Sequence, residues 1–249
     1  ERWGKACRYT VERPYYPPFQ FHCHVPLPMY RAHAWNTKEL KRMGHMGSEW
    51  EQRCAFMADG LNIYVLARCL WNPETDIEAL LTEHYKRFYG AAARPVSEFY
   101  NSIEQLLTQA SVEYHEEERI PEIYPHSAIT GLTKAMGDIP ELVRDSDAAT
   151  RQRVRFARLT ADHLLAYSAM RHAETQLDFA VAAAEAKKMI AAEREIAAIH
   201  PTLTDGGAEE RDGKPAYGVM GGDASPHGKL RQYEAKQALL DGTRGEKVV

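Results

Sequence analysis

The chain holds 249 residues, 44% of them hydrophobic and 27% charged, with a net charge of −4. Four Trp, thirteen Tyr and seven Phe exclude disorder throughout, and the acidic balance excludes a whole-chain basic footprint for nucleic acid. No apolar run approaches the roughly 18 residues of a spanning helix, so no membrane span is expected.

The cysteines are Cys7, Cys23, Cys54 and Cys69, with no C-x-x-C pair. They are too few for a disulfide scaffold, and they argue against a zinc ribbon or a thioredoxin-type site. The first residue is Glu1, and the chain reads as an internal piece of a longer protein.

Residues 1–36 carry five of the 13 prolines and the run Tyr15-Tyr16-Pro17-Pro18-Phe19-Gln20-Phe21-His22-Cys23-His24. Proline cannot sit in a helix interior, so a strand over Arg8–Val11 and a long loop are expected. Residues 37–43 read as a short helix capped by Asn36 or Thr37 and stopped by Gly44. Residues 45–51 are weakly strand-like, and a helix from Asp59 to about Leu70 ends at Asn72-Pro73. Strand, loop, helix, strand, helix is the alternation of a parallel α/β domain.

After Pro73 the pattern turns helical. Glu74–Tyr89 places Ile77, Leu80, Leu81 and Tyr85 on one face, with Gly90 as its stop. Pro95–Ala110 places Val96, Phe99, Ile103, Leu106 and Leu107 at helical spacing, and a short helix is expected near 127–136. Residues 141–200 contain no Gly and no Pro, which predicts two long helices breaking around 171–175. Their arginines (Arg151, Arg153, Arg155, Arg158) read as a solvated face. Nine of the 16 glycines fall after residue 200, so 201–249 reads as a loop-rich tail.

The chemistry-bearing residues lie early. On a strand over 45–51, Glu49 and Glu51 share a side and Trp50 faces away. Carboxylates at the C-terminal end of a barrel strand stand where barrel enzymes keep catalytic groups, and glycoside hydrolysis needs such a pair flanking the sugar. The alternative is a surface turn with two solvated glutamates. Tyr15, Tyr16, Trp35 and Trp50 suit stacking on sugar rings, or ordinary packing. His24 and His45 suit the rim of a polar cleft. His22, Cys23, His24, His33 and His45 form a metal alternative, but no His-Glu-x-x-His accompanies them. No Gly-x-Ser-x-Gly elbow supports a serine hydrolase.

The run Gly60 to Gly90 resembles the signature of a mainly bacterial family, a domain of unknown function numbered 4838. The resemblance rests on Tyr64, Leu66, Ala67, Leu70, Trp71, Asn72, Pro73, Asp76, Leu80, Tyr89 and Gly90. Upstream, Tyr15-Tyr16, Glu39-Leu40, Gly44-x-x-Gly47 and Glu51 resemble the end of that family's barrel. Members are similar to barrel glycoside hydrolases of the α-glucuronidase and β-hexosaminidase kind. The resemblance implies that 1–72 are the last units of a (β/α) barrel and 73–200 a helical domain, with 201–249 a Gly-rich segment. It places a glutamate at Glu51, with Glu49 beside it, and implies a secreted or periplasmic location.

The expected fold is therefore α-rich α/β: the end of a (β/α) barrel, a helical bundle and a loop-rich tail. The expected function is hydrolysis of glycosidic bonds in an oligosaccharide or polysaccharide by Glu51 or Glu49, with no metal or cofactor and no nucleic-acid partner. The rival is a non-catalytic carbohydrate-binding or scaffold protein. Trp71 is expected to be buried between barrel remnant and helices.

Overall fold

The structure, a computed structural model, describes residues 6–7, 9–13, 24–49, 56–110, 119–204 and 225–245. Two short strands, β1 (Val11–Glu12) and β2 (Gly47–Ser48), flank helix α1 (Tyr30–Arg42). They pair in parallel, Val11 opposite Gly47 and Glu12 opposite Ser48. Among the described residues everything else regular is helical: α2 (Phe56–Trp71), α3 (Ile77–Tyr89), α4 (Ala93–Gln109), α5 (Ile120–Ile123), α6 (His126–Lys134), α7 (Ile139–Leu142), α8 (Ala148–Thr175), α9 (Phe179–Ile199) and α10 (Pro226–Gly245).

Among the described residues the expected barrel end is absent. The order strand, helix, strand, helix survives, but each strand is two residues long among the described residues. A buried parallel strand needs a near-continuous apolar run. His45-Met46-Gly47-Ser48-Glu49 lacks one, and Met46 is 66% exposed. The molecule is mostly helical.

Helix ends follow local chemistry. Asp76 caps α3 by accepting from the backbone N–H groups of Glu78 and Ala79, and Asp147 and Asp178 cap α8 and α9 in the same way. Gly44, at φ 85°, closes α1 through hydrogen bonds from Gly44 N to Lys41 O and from His45 N to Leu40 O. Helix α1 begins at Tyr30, seven residues before the predicted start at 37. Asn36 and Thr37 lie inside it, and Thr37 Oγ1 donates back to His33 O at 2.8 Å.

One contiguous core joins α1–α9 and takes in Tyr233 of α10. Helices α8 and α9 form its spine, with α10 against α9 and α6 against α8. The Pro-containing segment before α1 is threaded into this core. Val25 and Leu27 are buried, Asn62 Nδ2 donates to Leu27 O at 2.7 Å, and Tyr124 Oη donates to Pro26 O at 2.8 Å.

Two further expectations fail. Trp71 is 91% exposed. Cys69 of the same helix faces the core, and two residues further is about 200° around, the solvent side. The tail after 200 is not all loop. Helix α10 covers 226–245, starts with Ser225 Oγ accepting from Gly228 N, and buries Tyr233 completely. Glycine counting concealed the apolar spacing of Leu230 and Tyr233.

Candidate functional site

Helices α2, α3 and α8 border a groove of about 680 Å³. That volume is within the range of small-molecule sites. Its floor is made by the buried rings of Tyr30, Tyr89 and Tyr100. Phe56 stands at its edge, 44% exposed, with its ring folded over Gly60. A Cβ on Gly60 would meet Phe56 Cδ1 at 2.8 Å, so this ring position depends on glycine.

A stack of flat groups lines the groove. The Arg68 guanidinium lies 5.9 Å from the Tyr64 ring centroid, and Tyr64 lies 5.3 Å from His84. His84 stacks on Phe88 at 4.9 Å, and Arg153 of α8 lies over Phe88 at 4.3 Å. The pairs Tyr64/Arg68 and His84/Phe88 are each four apart, so each shares one helix face. Burial, assisted by Arg153, lowers the His84 pKa to about 4. The imidazole is therefore neutral at pH 7, able to donate from one nitrogen and accept at the other.

Three arginines line the groove against one glutamate, Glu83. Glu83 is paired with Arg87 at 2.7 Å. Arg68 and Arg153 have no carboxylate partner among the described residues.

Of the sequence-predicted residues that the structure describes, His24, Trp35, His45 and Glu49, none lines this groove. Tyr15, Tyr16, Trp50 and Glu51 lie outside the described residues, as do His22 and Cys23. Glu49 follows β2, is 70% exposed at its side chain, and lies 3.9 Å from Arg13 Nε. Trp35 projects from α1, 66% exposed. His45 sits in the turn between α1 and β2, and His33 is buried within α1. Beside Glu49 the sequence reading missed Glu12, whose carboxylate accepts from Asn36 Nδ2 at 3.4 Å and Ser48 Oγ at 3.5 Å.

His24 goes to the opposite end of the chain. At φ 54° it points Nδ1 to Glu193 Oε1, 2.9 Å away, and His163 Nε2 meets the same oxygen at 3.2 Å. Burial raises the Glu193 pKa, but the two imidazoles outweigh it and hold the carboxyl down at about 2. This is a structural clasp between the N-terminal segment, α8 and α9. Among the described residues, no three His, Cys, Asp or Glu side chains group in a way that could hold a metal ion.

Fold and groove define a mostly helical protein with an aromatic, cation-flanked cleft. The family model of a domain of unknown function (DUF4838) matches residues 2–101, so that stretch is similar to the family. That match takes in the α2 and α3 walls of the groove and stops before α8. No curated protein and no solved structure matches the chain. No helix among the described residues is long and apolar enough to cross a membrane.

Proposed function

We propose that the protein binds carbohydrate in the groove between α2, α3 and α8. The observation that carries this reading is the pairing of exposed ring surface with hydrogen-bonding side chains in one concavity. Phe56 and Tyr64 are 44% and 36% exposed, and Glu83, His84, Arg87 and Gln152 line the same space. A sugar needs both: its C–H face packs on an aromatic ring, and its hydroxyls exchange hydrogen bonds with water for bonds to polar groups. Neutral His84 can serve hydroxyls in either direction.

The non-catalytic form of this reading is favoured by the carboxylates. Glycoside hydrolysis takes two. Among the described residues the groove offers one, Glu83, already neutralised by Arg87. The hydrolytic form rests on Glu51, which precedes Phe56 by five residues in the sequence, with Glu49 as its neighbour.

A glycan array followed by calorimetry tests binding, and a chromogenic-glycoside screen tests turnover. Tyr64→Ala and Phe56→Ala should each weaken sugar binding about tenfold while leaving the helical circular-dichroism signal intact. Unchanged affinity in both variants rejects the groove. Turnover abolished by Glu51→Gln would favour the hydrolytic form.

A further inference from the structure

We infer that the binding strip continues along α2 past the groove to Trp71, which forms an outer subsite for a straight, β-1,4-linked oligosaccharide; this rests on the carbohydrate reading above. Gly60, Leu61, Tyr64 and Arg68 line the groove from the side of α2 opposite its buried Asn62, Val65, Leu66 and Cys69. Trp71 follows Tyr64 by seven residues and Arg68 by three, the spacings of neighbours on one helix face. Helix geometry places it about 20° around from Tyr64 and about 11 Å further along the axis. Trp71 is 91% exposed, so its indole stands open. Ala67, exposed and carrying only a methyl group, lies between Tyr64 and Trp71 and keeps the strip clear.

An aromatic face is rich in electrons and packs against the weakly positive C–H face of a pyranose. Along α2 such faces come from Phe56, whose ring leans over Gly60, then Tyr64, then Trp71. A β-1,4-linked chain is straight, and each unit is turned about half-way round from the one before. Every second unit therefore shows the same face to one side. Two units advance the chain by about the axial separation of Tyr64 and Trp71, so these rings meet like faces of units two apart. An α-1,4-linked chain coils and leaves that line. Arg68 donates to Tyr64 Oη at 3.4 Å and keeps further N–H donors for hydroxyls between the two platforms. The surroundings of Trp71 are polar, with Arg68, Asn72 and Glu74 exposed beside it in the chain. One bare ring among polar groups suits a sugar better than a protein interface, whose centre is apolar.

The test is calorimetry on the whole chain with β-1,4-linked oligomers of glucose, xylose and N-acetylglucosamine, two and six units long. The six-unit α-1,4-linked glucose oligomer is the control. In at least one β-linked series the six-unit chain should bind about tenfold tighter than the two-unit chain and tighter than the control. Trp71→Ala should weaken six-unit binding about fivefold and leave two-unit binding unchanged, and Trp71→Tyr should keep most of the six-unit affinity. Tyr64→Ala should weaken both lengths. Trp71 is exposed, so its variants keep the fold. Equal affinity for the two lengths, six-unit binding unchanged in Trp71→Ala, an equal loss at both lengths in that variant, or α-linked binding as tight as β-linked overturns the inference and leaves the groove reading standing. No binding of any oligomer overturns the carbohydrate reading as well.

Discussion

Glu193 shows how one side chain can join distant parts of the sequence. Its carboxylate, 12% exposed, accepts from His24 and from the fully buried His163. Its pKa is lowered from 4.5 to about 2. A carboxyl depressed by folding contributes stability above its unfolded pKa and loses it as pH falls through the folded value. Stability should therefore decline as pH drops from 4.5 toward 2, and Glu193→Gln should flatten that part of the profile. Urea melts at half-unit pH intervals would show it. A variant as acid-sensitive as the wild type would remove Glu193 from this role. None of this was legible in the sequence, where His24 read as a residue at the rim of a polar cleft. A hydrogen bond spanning 169 residues leaves no local pattern.

At the scale of elements, the two long helices of 141–200 were readable from the missing Gly and Pro, and the break expected around 171–175 falls just after Thr175, but the form of the turn was not readable. The turn uses a Schellman arrangement, with Asp178 N bonding Ala173 O and Leu177 N bonding Glu174 O. Glycine usually fills its left-handed position, but here Leu177 does, at φ 58° and 69% exposed. Leu177→Gly should raise stability by about 1 kcal/mol by relieving that conformation. A lowered melting temperature would show that Leu177 contributes by packing instead. Gly90 is the opposite case. The sequence marks it as a stop, and it takes φ 55° and ψ −123° at the end of α3. Gly90→Ala should cost about 1–3 kcal/mol, measured by chemical denaturation. The cost should be strain rather than a clash, because the nearest atom to a new Cβ would be Thr150 Cγ2 at 3.6 Å.

At the scale of the molecule, the C-terminal helix belongs to the fold. Tyr233 is fully buried, stacks on Phe179 at 6.2 Å and donates its hydroxyl to Glu174 at 2.9 Å. Tyr233→Ala should cost about 3–5 kcal/mol, as for other large buried aromatics. An unchanged melting temperature would show α10 to be an appendage. The groove is also a property of this scale. Its residues come from α1–α4, α8, α9 and the turn after it, so its walls meet only when the bundle closes.

Helical content, the caps at Asp76, Asp147 and Asp178, and the stops at Gly44 and Gly90 follow from nearest neighbours and apolar spacing, which act within a few residues. The sequence by itself therefore determined most of what is regular here. It also marked Gly47 and Ser48 as strand-like, but not that the strands end after two residues, because strand length depends on what lies alongside. Only the tertiary structure decided which aromatic residues face solvent. Trp71 and Tyr64 lie on the same helix, yet one is bare and the other lines a cleft. Only it decided that two arginines 85 positions apart flank one cavity, because exposure and charge pairing depend on elements far apart in the chain.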